Sequence, residues 1–180
     1  MSSSISKVPK VIAIICARGG SRGLKKKNLK KINGESLIGR VIRQAFDSKS
    51  IDNVIVSTDD QDIASEAIKH GAEVPFMRPK DLSGDLATTE ETLKHALITY
   101  ELQKNTKFDI AVFLTATDIF RRTEWIKKVI DVLKESPSIE SAFVGYKTHK
   151  NFWEMQENGE WVRIRDWMKE YSSRQIRRSI

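Results

Sequence analysis

Short apolar runs alternate along this chain with segments whose apolar residues recur every three or four positions. Val11–Ala17 is a continuous apolar run and predicts a buried strand. Leu37–Phe46 places Leu37, Ile38, Val41, Ile42 and Ala45 on one face, the pattern of an amphipathic helix. Asn53–Ser57 reads as a second strand and Asp60–His70 as a second helix. Asp60 and Asp62 suit the positive N-terminal end of that helix, and Gly71 stands just past its last turn. Glu73–Met77 reads as a third short strand stopped by Pro79. A helix from about Thr89 to Gln103 carries Leu93, Ala96, Leu97 and Tyr100 at helical spacing. Ala111–Leu114 is another apolar strand, Thr123–Lys134 a helix with Arg122 or Thr123 as its N-cap, and Ser141–Tyr146 the next strand.

Alternation of this kind implies an α/β fold, a mostly parallel sheet covered by helices on both faces and joined by right-handed crossovers. Ligands in such sheets bind beyond the carboxyl ends of the strands. The loops at those ends are 17–31, 57–60, 77–89 and 115–122. From Lys147 the texture changes: Phe152–Gln156 and Trp161–Arg165 flank Glu157-Asn158-Gly159-Glu160, and Asn-Gly favours a tight hairpin turn. Trp153, Trp161 and Trp167 crowd this segment, and they suit a partner subunit or the parent sheet equally. The expected organisation is a flexible polar start over 1–10, an α/β domain over 11–146 and an arm over 147–180.

Charge narrows the reading. Of the 180 residues, 31 are Lys or Arg and 24 are Asp or Glu, a net charge of +7. One loop holds Arg18, Arg22, Lys25, Lys26, Lys27, Lys30 and Lys31 with no carboxylate, enough to account for that excess. The same loop contains Gly19, Gly20 and Gly23 and follows the first strand directly. Small residues let backbone N–H groups approach phosphate oxygens while the cations neutralise them, so a polyphosphate ligand is expected there. The zinc-finger, homeodomain and RNP patterns are missing, which favours a small-molecule phosphate over nucleic acid. The single cysteine, Cys16, makes no internal disulfide, and no apolar stretch approaches the ~20 residues of a membrane span. A cytosolic location is the expectation.

Two common phosphate motifs do not fit. A Walker A loop needs Gly-x4-Gly-Lys-Ser/Thr, but Leu24 stands five residues after Gly19 and Lys25 five after Gly20. A dinucleotide fingerprint fails because Arg18 occupies its first glycine position. Lys25, Lys26, Lys30 and Lys31 read equally well as a solvated basic turn. Arg18 with Ser21 and Asn28 points to a ligand, since Arg grips phosphate bidentately and Asn reads a base edge.

These residues resemble a known family. Ala17-Arg18-Gly19-Gly20-Ser21-Arg22-Gly23 through Lys27-Asn28 is similar to the signature loop of the CMP-sialic acid synthetases, the acylneuraminate cytidylyltransferases. Further matches come in order: Ile32-Asn33-Gly34 with Leu37-Ile38, Val56-Ser57-Thr58-Asp59, Arg78-Pro79 with Leu82 and Asp85, Thr88-Thr89, and Ser173-Arg174-Gln175. The resemblance runs from about residue 10 to the last residue.

It implies a three-layer, nucleotide-diphospho-sugar transferase-like fold of the nucleotidyltransferase kind. In that fold 11–146 is the nucleotide-binding domain and 147–180 an incomplete dimerisation arm. It implies a cytidylyltransferase that joins CTP to the anomeric hydroxyl of a nine-carbon α-keto sugar acid, with Mg²⁺ as cofactor and a homodimer as assembly. By the same resemblance the CTP-binding residues are Arg18, Gly19, Ser21, Arg22, Lys27, Asn28, Arg78, Ala87 and Thr89. The catalytic ones are Lys27 and Arg174. Thr115 falls at the sugar-contacting position, where relatives carry Gln; Thr117 and Arg121 match the family's loop. Relatives continue past the position of Ile180 with a strand and two metal-binding aspartates, so the metal ligands of this chain are unassigned. Asp59, Asp85 and Asp118 lie on site-facing loops, where turn formation and capping are their expected roles. The alternative is a relative that binds CTP with weak or no catalysis.

Overall fold

A computed structural model of the chain describes residues 8–21, 23–84, 86–145, 153–155 and 158–163. Its centre is strand β1, Val11–Cys16, which is buried on both faces. Alternate side chains divide between two cores: Val11, Ala13 and Ile15 enter one, Ile12 and Ile14 the other. This is why the strand reads as a continuous apolar run rather than an alternating one.

A short hairpin follows, β2 (Lys31–Ile32) against β3 (Glu35–Ser36), turned by Asn33 and Gly34 at φ 51° and 82°. Both central residues have positive φ, the conformation that Asn-Gly adopts most readily. Helix α1 spans Leu37–Asp47, opened by Ser36, whose Oγ accepts from the Gly39 N–H at 3.1 Å. Strand β4, Asn53–Ser57, pairs parallel with β1, with Ile15 opposite Val56 and Cys16 opposite Ser57. Helix α2, Gln61–Lys69, is capped by Asp60, and Gly71 beyond it takes φ 89°. Helix α3, Thr89–Lys104, opens with a capping box between Thr88 and Glu91. Strand β5, Ile110–Leu114, pairs parallel with the other side of β1, and helix α4, Thr123–Glu135, follows with Arg122 as N-cap.

The sheet order is β4-β1-β5, all parallel. Residues of α1, α2 and α4 share the core containing Ile15, while Ala96 and Tyr100 of α3 pack with Ile12, Ile14 and Ile55 on the other face. The expected three-layer α/β architecture is therefore present. Among the described residues no helix is long and apolar enough to cross a membrane.

Two expected strands are not formed. Glu73–Met77 makes two isolated parallel bridges, Ile55 with Glu73 and Thr58 with Met77. Pro75 lies between them and has no N–H to continue the ladder. Ser141–Tyr146 was expected as a strand, but 141–145 form none; Phe143 and Val144 are exposed and no backbone ladder holds them. Tyr146 lies outside the described residues.

The chain divides into two compact units after Ala142. In the second, β6 (Trp153–Met155) pairs antiparallel with β7 (Trp161–Arg163), and Gly159 between them takes φ 81°. This is the hairpin that Asn158-Gly159 predicts. The packing expected of Trp153, Trp161 and Trp167 lies outside what is described.

Candidate functional site

The carboxyl ends of β1 and β4 lie side by side, and the chain leaving each is tied to the other. Ala17 N–H donates to the Ser57 carbonyl at 3.0 Å, extending the parallel pairing one residue past the strand. Gly19 N–H then donates to Asp59 Oδ1 at 2.9 Å. Gly19 has no room for a side chain, because a Cβ there would stand 2.6 Å from Asp60 Oδ2 and 2.8 Å from Asp60 Cβ. Asp60 is itself fixed, since its Oδ1 accepts from the N–H groups of Asp62 and Ile63 at the start of α2. The first turn of the basic loop thus rests against the N-cap of α2.

The rest of the loop is braced from within and from its neighbours. Asn28 is buried in a short 3-10 turn, Lys27–Leu29, and its amide donates to the Arg18 carbonyl at 3.1 Å. One N–H of that amide is thereby committed to loop shape. Lys26, at φ 51°, pairs with Asp62 at 2.6 Å. Arg18 reaches across to the 77–89 segment, donating from Nη1 to the Gly84 carbonyl at 3.1 Å. Ser21 and Lys27 are half-buried.

Arg78 enters from that same segment. It is buried at 7% exposure, donates from Nε to Ser57 Oγ at 3.0 Å, and donates from Nη2 to the Ser57 carbonyl. Burial holds its guanidinium below the usual arginine range, with Cys16 and Asp59 acting the other way and Arg18 adding repulsion. Two guanidinium groups therefore converge at the ends of β1 and β4. Ala87 is half-buried and Thr89 exposed at the start of α3. Arg22, Asp85 and Arg174, all singled out from the sequence, lie outside the described residues.

The loop after β5 is held differently. Arg121 is buried and folds back to donate from Nη2 to the Thr115 carbonyl at 2.7 Å and to its Oγ1 at 3.3 Å. Thr115 is half-buried, and Thr117 and Asp118 are exposed. Partners the sequence reading passed over are Gly84 and Gln44. Each meets its contact far away in the chain, and neither carries a local signal.

The arrangement gathers cations, backbone N–H groups and a Gly-lined turn at one end of a parallel sheet, which suits an anionic phosphate ligand. Among the described residues no three His, Cys, Asp or Glu groups come together, and Asp59 and Asp118 already serve Gly19 and Arg121.

Cys16 closes the end of β1. Burial pushes its thiol up to about 11, and the Arg78 charge opposes that shift. Below that value the thiol keeps its proton, so at pH 8 only about one molecule in a thousand carries the reactive thiolate. Iodoacetamide labelling of the folded chain is expected to speed up about tenfold per pH unit through pH 9 and 10. At pH 8 the denatured chain should label about a hundredfold faster than the folded one. Equal rates at pH 8 would show that the thiol is not shielded.

Comparison with known proteins places the chain in a family. A family model described as "Cytidylyltransferase" matches residues 12–177. A CMP-N,N'-diacetyllegionaminic acid synthase of Campylobacter jejuni is 40% identical over 107 residues, 59% of this chain and 46% of that protein. An N-acylneuraminate cytidylyltransferase of Oncorhynchus mykiss is 33% identical over 152 residues, 83% of this chain and 33% of the relative. The chain spans about half the length, or less, of these relatives. Among solved structures, a CMP:2-keto-3-deoxy-manno-octonic acid synthetase complexed with CTP superposes with a TM-score of 0.58 at 22% identity. It covers 72% of this chain and 49% of that one, which shows a shared fold.

Proposed function

Since the chain belongs to the cytidylyltransferase family, we propose that it binds CTP at the ends of β1 and β4. There it transfers the cytidylyl group to the anomeric hydroxyl of a sialic acid-like keto sugar. The observation that carries this reading is the convergence of Arg18 and Arg78 beside the Gly19 turn, tied together through Asp59, Ser57 and Gly84.

In the proposed reaction the sugar hydroxyl oxygen attacks the α-phosphorus and forms a new P–O bond. The bond between that phosphorus and the bridging oxygen breaks, and pyrophosphate leaves with the electron pair; the hydroxyl proton passes to solvent. Such transfers depend mainly on positioning and on neutralising the phosphate oxygens. Arg18, Ser21, Arg22 and Lys27 are assigned to the triphosphate, Asn28, Arg78, Ala87 and Thr89 to the nucleoside side, and Thr115 to the sugar. Lys27 and Arg174 are assigned to the leaving pyrophosphate. Magnesium would enter with the nucleotide, since the described carboxylates do not form a cage of their own.

The test is pyrophosphate release from CTP and Mg²⁺ by this chain, with N-acetylneuraminate and N,N'-diacetyllegionaminate as acceptors. Sugar-dependent release is expected. CTP binding without release would leave a nucleotide-binding relative, and absence of CTP binding would overturn the reading.

A further inference from the structure

We propose that Arg121, braced by Arg40 and Gln44 of α1, is a positioning residue that sets loop 115–121 and so decides which acceptor sugars the site takes. This rests on the cytidylyltransferase reading above.

The loop has little backbone structure of its own. Its internal bonds, Asp118 N–H to the Thr115 carbonyl and Arg121 N–H to the Asp118 carbonyl, are both long at 3.4 Å. Side chains supply the shape instead. Arg121 Nη2 holds the carbonyl and hydroxyl of Thr115, and Nε faces Asp118 Oδ2 at 3.4 Å. From α1, Arg40 Nη2 donates to the Ile119 carbonyl at 3.0 Å and Gln44 Nε2 to the Arg121 carbonyl at 2.7 Å. The loop is therefore pinned at its first residue, near its middle and at its last.

Buried polar groups that lack partners concentrate here. Among the described residues four buried side-chain polar atoms have no hydrogen-bond partner, and Arg40 Nε, Gln44 Oε1 and Arg121 Nη1 are three of them. A partly satisfied buried network responds strongly to the loss of one member. Arg121 Nη1 is closed to solvent, so Arg121 does not reach a ligand from this position; it acts through Thr115. Thr117, Asp118 and Phe120, the last 82% exposed, are the surfaces the pinned loop offers beyond β5. Loop 115–121 leaves β5 next to the end of β1, because Leu114 pairs opposite Ile15. That places it beside the nucleotide loop.

The experiment compares wild type with Arg121→Met, Arg121→Lys and Gln44→Met. Three readouts are hydrogen exchange of amides 116–121, CTP affinity, and kcat and KM for N-acetylneuraminate and N,N'-diacetyllegionaminate. For Arg121→Met, loop exchange is expected to rise about tenfold while CTP affinity stays within about twofold. Acceptor KM should rise about tenfold with kcat changed much less, and the preference between the two acceptors should shift by about threefold or more. Arg121→Lys restores one donor to the Thr115 carbonyl and should recover part of the effect; Gln44→Met should reproduce a weaker form of it. Unchanged loop exchange overturns the proposal, as does raised exchange with an unchanged acceptor preference. If the wild-type chain turns over neither acceptor, the functional reading has failed. Loop exchange and saturation-transfer NMR of acceptor binding with CTP present then judge the clamp by themselves.

Discussion

Gly19→Ala is expected to weaken CTP binding by about tenfold or more and to lower the melting temperature by several degrees. The added methyl would stand 2.6 Å from Asp60 Oδ2 and 2.8 Å from Asp60 Cβ. A flexible side-chain end can move aside, but Asp60 Cβ cannot, and the Asp60 carboxylate is engaged as the N-cap of α2. Relief comes in one of two ways. If Gly19 withdraws, its N–H leaves Asp59 Oδ1 and the phosphate turn loses its anchor. If Asp60 rotates, α2 loses a cap worth about 1 kcal/mol, or roughly 2–4 °C in a domain of this size. Gly20→Ala is the control, because a Cβ at Gly20 meets nothing within 4 Å and should leave stability within about 0.5 kcal/mol. Calorimetry of CTP binding with thermal melts of both variants checks this. A Gly19→Ala chain that binds and melts like wild type would remove the close approach from the account.

The contrast between Gly19 and Gly20 also marks what could be read from the chain alone. A Gly-rich cationic loop after a buried strand is a local pattern, so Arg18, Gly19, Ser21 and Lys27 stood out. The helices were legible for the same reason: Leu37, Ile38, Val41, Ile42 and Ala45 repeat at 3.6-residue spacing, and all are buried. Strand pairing is not local. Ser141–Tyr146 alternates like a strand, but no neighbour pairs with 141–145, and Glu73–Met77 is interrupted by Pro75. The Asn33-Gly34 hairpin could have been found from its dipeptide. The contacts that build the site could not. Gly84 lies 66 positions from Arg18, Asp59 40 from Gly19 and Gln44 77 from Arg121, and nothing in a linear sequence pairs them. Asn28 stood out in the sequence, but the bond from one N–H of its amide to the Arg18 carbonyl, ten residues away, did not.

Arg78→Met should weaken CTP binding by about thirtyfold or more while leaving the free protein about as stable as before. Two opposing effects decide the second part. The substitution removes hydrogen bonds from a charged donor to Ser57, each worth about 1.5–3 kcal/mol. It also removes a cation whose burial disfavours charge and which lies close enough to Arg18 to be repelled by it. Removing the buried charge recovers the desolvation penalty it carried, which offsets part of the lost bonding. The Ser57 carbonyl moreover keeps the Ala17 N–H at 3.0 Å, so it is not orphaned. The retained Ala17 bond lowers the cost of the lost pair and the recovered desolvation opposes what remains, so the net change in the unliganded chain is expected to stay within about 1 kcal/mol. Binding has no such compensation. Arg78 is assigned to the nucleoside side of the site, and with that contact gone CTP affinity should fall about thirtyfold or more, near 2 kcal/mol. Arg78→Lys keeps the charge but not the fork that spans Ser57 Oγ and its carbonyl, so it should rescue little. Thermal melts with and without CTP separate these effects: the apo midpoint holds while the upward shift produced by CTP is lost. A full CTP shift in Arg78→Met would mean that Arg78 only supports the β4 end. A large fall in the apo midpoint would mean that its bonds to Ser57 outweigh the burial of its charge.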